Sequence, residues 1–170
     1  MPIHPLTRAL PLALIPLVAV LFGAPLAAQD QDQVFVAPLT GNEEVPEVDS
    51  RAVGHSVLHL NQEGDALNFT LNVANIERMT QAHIHCGIAG VNGPVVAFLV
   101  ALEEAGRDIN SLAVEGTLTN DHVTPQPDSE ACPGGVADFD EMLAKIEAGE
   151  AYVNVHTEQN PAGEIRGQIR

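Results

Sequence analysis

The chain has 170 residues, and its 23 aspartates and glutamates outnumber its 7 lysines and arginines, which gives a formal net charge of −16. A protein that binds nucleic acid needs a concentrated basic surface, and this acidic composition excludes that class of partner. The length suits one domain that buries its own hydrophobic core.

Residues 1–28 predict a secretory signal peptide. Arg8 provides a positive charge near the N-terminus, an apolar stretch interrupted by prolines follows, and small residues lead to Ala27 and Ala28. This order is typical of a signal that is removed on export; an uncleaved membrane anchor is the alternative. No later segment has the roughly 20 apolar residues that a spanning helix needs. We therefore expect a secreted or periplasmic protein whose mature chain has no membrane span.

Short strands separated by turns are predicted after the signal peptide. Apolar and polar residues alternate most regularly over residues 67–73, and residues 55–60 precede them across a turn, so the two segments predict a hairpin. Residues 95–102 are a continuous apolar run, which predicts a strand buried on both faces. Residues 114–119 predict a further short strand.

The second half of the chain predicts a loop, a helix and a closing hairpin. Residues 124–135 contain three prolines and two glycines and predict a loop. Apolar residues then recur at helical spacing, which predicts one short helix near residues 138–148. Residues 152–157 and 164–170 predict the hairpin. Together these elements indicate an all-β fold, an antiparallel β-sandwich or a Greek-key-like barrel with one short helix.

Two of the predicted strands carry histidines on one face. Successive side chains of a strand point to opposite faces, so His83 and His85 share a face, and His156 shares one with Tyr152 and Asn154. If the two strands are neighbours, three imidazoles converge. Imidazole binds copper and zinc, which makes His83, His85 and His156 the candidate metal ligands. Structural hydrogen bonding by the same histidines, without a metal, is the alternative.

Four other residues are candidates near this site. His122 is a candidate fourth ligand, and Asn154 is a candidate hydrogen-bond partner of the site. Glu164 and Arg166 share the outward face of the last predicted strand, where they could orient a ligand histidine. A cross-strand ion pair between these two residues is the alternative.

Cys86 and Cys132 are the two cysteines of the chain. In an exported protein a disulfide between them is expected, because the compartment is oxidising. A thiolate metal ligand at Cys86, next to His85, is the alternative.

Several motifs together resemble the CHRD domain, a module repeated in chordin and present singly in many bacterial secreted proteins. They are LTGNEEVP at 39–46, AHIH at 82–85, GP at 93–94, YVNVHT at 152–157 and NPAGEIRGQ at 160–168. The resemblance implies a single CHRD-like β domain over residues 29–170 that acts as a binding module. In chordin the module belongs to an extracellular antagonist of bone morphogenetic proteins. The cysteine-rich domains that accompany it there are missing from this sequence, so that activity is not carried over.

A weaker resemblance, to copper–zinc superoxide dismutase, rests on the His-x-His strand, the histidine on another strand and the candidate disulfide.

We expect an exported, non-enzymatic binding module with copper or zinc as the candidate metal, and a metal ion or a protein as its partner. One alternative is a copper-dependent oxidoreductase of the superoxide dismutase type, in which Arg166 attracts an anion. The other is a purely structural or adhesive extracellular domain.

Overall fold

The computed structural model describes Met1 and residues 33–101 and 105–170. Apart from Met1, the predicted signal peptide lies outside the described residues. Among those, no helix is long and apolar enough to cross a membrane. The described strands and the α-helix are β1 (Val34–Thr40), β2 (Val53–Leu60), β3 (Leu67–Cys86), β4 (Val95–Val100), β5 (Arg107–Leu118), α1 (Phe139–Glu147), β6 (Ala151–Thr157) and β7 (Ile165–Gln168).

The sheet is organised around β3, the longest strand. The first half of β3 pairs with β2 on one edge and β5 on the other, and its second half pairs with β6 and β4. From β2 the order continues through β1, β7 and β6 back to β3. All pairings are antiparallel, and the sheet forms a small barrel. The predicted all-β fold is confirmed, and of the two predicted architectures the barrel is the one that forms.

A bulged segment joins the two halves of β3. Asn75 and Arg78 have positive φ angles of 57° and 55°, and the register with β5 shifts between Ile76 and Met79. Positive φ is uncommon outside glycine, and a bulge bends its strand. The sequence predicted separate strands before and after this point. The structure joins them into one bent strand, which therefore belongs to both sides of the barrel.

The interior of the barrel is apolar because alternate side chains of each strand point into it. On β3 the inward residues are 0 to 6% exposed, and Leu71 and Ile84, one on each side of the bulge, are completely buried. Helix α1 adds its buried face to this core. The helix begins where the sequence predicts, since the Asp138 side chain accepts a hydrogen bond from the backbone N–H of Glu141.

Two strands differ from their predictions. β4 was predicted to be buried on both faces, yet Phe98 is 47% exposed because β4 lies at the end of the strand order and one of its faces is partly uncovered. β5 begins at Arg107, well before the predicted residue 114, because it continues its pairing along β3 across the bulge to Met79.

Cys86 and Cys132 form a disulfide with a Cα–Cα distance of 5.5 Å, which confirms the predicted bond. The bond ties the end of β3 to the loop at 124–135. Both sulfur atoms are engaged, so the alternative of a thiolate metal ligand at Cys86 is wrong for the oxidised protein.

We expect the Cys86→Ser/Cys132→Ser double variant to be less stable by about 4 kcal/mol, because the bond closes a loop with a sequence separation of 46 and so restricts the unfolded chain. Urea unfolding followed by circular dichroism measures the difference. A reductant should destabilise the wild type by a similar amount and leave the double variant unchanged. Equal stability of variant and wild type would contradict the prediction.

Candidate metal centre

The candidate ligands lie together because β3 and β6 are antiparallel neighbours. His85 is opposite Tyr152 and Gln81 is opposite His156, which places His83 between the other two histidines on the outer face of the barrel. One ring nitrogen from each of the three histidines lies within 4.8 Å of the others. All three rings are buried, with exposures of 3 to 8%. The strand pairing thus brings the three predicted ligands into one cluster.

Backbone carbonyls hold two of the imidazoles. The Nδ1–H group of His85 donates to the carbonyl of Gly93 at 2.9 Å, and that of His156 donates to the carbonyl of Pro161 at 3.1 Å. Since a carbonyl oxygen can only accept, the neutral form of each ring has its lone pair on Nε2. The Nε2 atom of His85 is buried and has no hydrogen-bond partner in the described part of the chain. Both lone pairs are therefore in position to bind an ion.

His83 is held differently. Its Nε2 atom lies 3.2 Å from the side-chain oxygen of Gln81, and its Nδ1 atom lies 3.0 Å from Nε2 of His156. With the amide oxygen in this position, Nε2 of His83 carries the proton and Nδ1 has a lone pair that faces the lone pair of His156. The two lone pairs repel unless a proton or a metal ion lies between them. Two imidazole nitrogens on one tetrahedral zinc ion are about 3.3 Å apart. The separation of this pair is close to that value, whereas the 4.8 Å span of the whole cluster must shorten for one ion to contact all three rings.

Protonation of these rings is unfavourable. Burial, together with the charges that His156 and His85 would carry, lowers the pKa of His83 to about 3. Burial also lowers the pKa of His85, to about 4, and that of His156. Neutral imidazole is the form that binds metals, and all three rings adopt it at neutral pH.

Arg166 and Tyr152 extend the polar cluster away from the histidines. The Tyr152 ring stacks on His85 with centroids 4.8 Å apart and planes at 9°, and the guanidinium carbon of Arg166 lies 3.4 Å from the centre of the Tyr152 ring. Arg166 does point outward from the barrel, as predicted, but a loop at 87–94 covers it, and it is only 2% exposed. The sequence placed Tyr152 on the same strand face as His156 but gave no sign that its ring stacks on a candidate ligand.

Asn154 lies between Glu44 and the strand that carries His83. Its amide donates to Glu44 at 2.6 Å, while its own oxygen has no hydrogen-bond partner among the described residues. Burial raises the pKa of Glu44 to about 7, against the opposing effects of Asn154 and Arg166. Sequence reasoning missed Glu44 as a site residue. The motif at 39–46 was the available signal, but an acidic loop residue is usually exposed.

Glu164 and His122 occupy different places from the three imidazoles. Glu164 accepts hydrogen bonds from Ser50 and Thr157, and from Asn160. These bonds hold the turn that presents the Pro161 carbonyl to His156. His122 is exposed, and its Nδ1 atom bonds to Thr119, so it is not one of the histidines whose nitrogens converge in the described residues.

A model of one protein family, described as the CHRD domain, matches residues 35–169. The match covers most of the chain and includes every residue of the histidine cluster and of its hydrogen-bond partners. No curated protein and no solved structure shows a significant match to the chain.

We expect the metal-free protein to lose stability as the pH falls below about 6.5. The pKa values of His83, His85 and His156 are lower in the folded protein than in the unfolded chain, so the unfolded chain binds up to three more protons and is favoured. Glu44 acts with the opposite sign, because its folded pKa of about 7 exceeds the unfolded value of 4.5.

Urea unfolding at a series of pH values from about 7 to about 4 measures this dependence. Glu44→Gln should steepen the loss of stability toward acid pH, because it removes the one opposing group, and His85→Gln should make the loss shallower. The other charged neighbour, Arg166, keeps its charge over this range. A flat profile for the wild type would contradict the assignment of three neutral, buried imidazoles.

Gly163→Ala should destabilise the protein by about 3 kcal/mol. Gly163 has a φ angle of +143°, and a Cβ atom there would lie 2.6 Å from the carboxylate oxygens of Glu44 and 2.7 Å from the Asn154 amide. Gly134 is the matched control, since its φ is also positive but no atom lies within 4 Å of its Cβ position. Gly134→Ala should cost only about 1 kcal/mol. Similar costs in urea unfolding would show that the contact with Glu44 is unimportant.

Proposed function

Because the chain belongs to the CHRD domain family, we propose that it is an exported, non-enzymatic binding module that holds a transition-metal ion at His83, His85 and His156. One observation carries the proposal: one nitrogen of each ring lies within 4.8 Å of the others, and each ring also has a nitrogen that faces an oxygen acceptor. Histidines that bind metals typically donate their second N–H to a carbonyl or carboxylate in this way.

The donor set favours copper or zinc. The ligand atoms that converge in the described residues are neutral imidazole nitrogens, whereas calcium and magnesium prefer oxygen ligands. Among divalent first-row metals, sites with nitrogen ligands usually bind copper most tightly. Copper is therefore the first candidate and zinc the second.

Binding is favoured over catalysis by the surroundings of the cluster. The oxidoreductase alternative requires Arg166 to attract an anion, but its guanidinium is buried and donates to Asn92, Ile88 and Val91. The three ligand rings are also nearly inaccessible to solvent. Such a site suits retention of an ion more than rapid exchange of a substrate.

Export is supported by two features. The disulfide between Cys86 and Cys132 is compatible with an oxidising compartment. The family of the domain is likewise compatible with a location outside the cytoplasm.

Elemental analysis of protein purified from the exported fraction, followed by copper and zinc titration against a competing chelator, tests the proposal. We expect close to one bound ion per chain in the wild type and none in His83→Ala/His156→Ala. The matched control is His55→Ala/His59→Ala, which removes two exposed histidines of β2 and should bind like the wild type.

If the wild type binds neither copper nor zinc in the titration, the structural or adhesive alternative is the one that remains. Equal binding by His83→Ala/His156→Ala would place the ion elsewhere. A superoxide assay on the copper-loaded protein separates the remaining alternative, since turnover that is lost in the same double variant would establish an oxidoreductase.

A further inference from the structure

Three side chains are stacked in one column beside the cluster. The Arg166 guanidinium lies on one face of the Tyr152 ring, and the His85 ring lies parallel to Tyr152. All three side chains are at most 8% exposed. A buried parallel stack restricts rotation of the His85 ring, so the plane of the ring is set by Tyr152.

Tyr152 also holds the group that sets the tautomer of His85. The backbone N–H of Gly93 donates to the Tyr152 hydroxyl at 3.1 Å, and the carbonyl of the same residue accepts the Nδ1–H of His85. A Cβ atom at Gly93 would lie 1.7 Å from the carbonyl oxygen of Cys86, so only glycine allows this close approach. The ring and its hydrogen-bond acceptor are thus held by one phenol.

Arg166 completes the arrangement from the far side of the phenol. The N–H groups of its guanidinium donate hydrogen bonds to the Asn92 side chain and to the carbonyls of Ile88 and Val91, at 2.9 to 3.1 Å. These acceptors belong to the same loop as Gly93. Arg166 therefore stacks on the Tyr152 ring and also holds the loop that this tyrosine contacts.

We propose that Tyr152 is a positioning residue of the metal centre and that Arg166 acts through it. Together they hold the His85 ring in the plane and tautomer that direct its Nε2 lone pair toward the nitrogens of His83 and His156. The inference rests on the proposed metal-binding function. It goes further in assigning a role to two residues that do not bind the ion.

Tyr152→Leu tests the role, with Phe69→Leu as the matched control. Phe69 is a buried aromatic residue of the barrel core, on the half of β3 that lies before the bulge. Zinc affinity is measured by chelator competition, and cobalt(II) is used as a spectroscopic probe of ligand geometry. Tyr152→Leu should weaken zinc binding by about 10- to 100-fold and change the visible spectrum of bound cobalt. Phe69→Leu should match the wild type in both measurements, even where it lowers stability.

Tyr152→Phe keeps the stacked ring and removes the hydroxyl. It should weaken zinc binding by about fivefold through loss of one hydrogen bond, and it tests the hydroxyl separately from the ring. Folded Tyr152→Leu with affinity and cobalt spectrum like those of the wild type would overturn the positioning role and leave the metal site intact. If Tyr152→Leu does not fold, Tyr152→Met takes its place, since it also removes the ring but keeps a long apolar side chain, and wild-type affinity with a wild-type cobalt spectrum in it would overturn the role of the ring. Wild-type affinity in Tyr152→Phe would overturn the role of the hydroxyl. Failure of the wild type to bind zinc or cobalt would instead remove the metal site and this inference together.

Discussion

The structure depends on burying a polar face of a β-sheet. The inner face of the barrel is apolar, but the outer face of β3, β6 and β7 carries His83, His85, Asn154, His156 and Arg166, all of them buried. A buried polar group without a partner destabilises a fold. The loops that cover this face must therefore supply donors and acceptors at defined positions, and this requirement sets their conformations.

The residues that meet this requirement come from the motifs that resemble the CHRD domain. The first motif supplies Glu44 to Asn154, the glycine–proline pair supplies the Gly93 carbonyl to His85, and the last motif supplies the Pro161 carbonyl to His156. These segments are distant in sequence and come together over the polar face. The motifs are thus explained by one physical task, the pairing of buried polar atoms outside the barrel.

The strands and the helix were predictable, because they depend on periodicities of two and of 3.6 residues that are local in sequence. The parity of His83 and His85 was predictable for the same reason. The burial of Arg166, the stacking of Tyr152 and the role of Glu44 were not, since each depends on a loop that arrives from elsewhere in the chain. The bulge at Asn75 and Arg78 was missed as well, because the local sequence has no glycine to indicate positive φ.

The proposed metal binding would be coupled to folding through the same atoms. The covering loops pair one nitrogen of His85 and one of His156, and Gln81 on β3 pairs one nitrogen of His83. Lone pairs are left facing one another across 3.0 Å at His83 and His156, with a further one on His85. Protonation of a ring would relieve the repulsion only at a cost in free energy, because burial disfavours charge on these rings. An ion that binds the folded cluster and not the unfolded chain would stabilise the fold by mass action. The polar contacts that position the loops would thereby also position the ligands, so a loop change that leaves the barrel intact can still alter metal affinity.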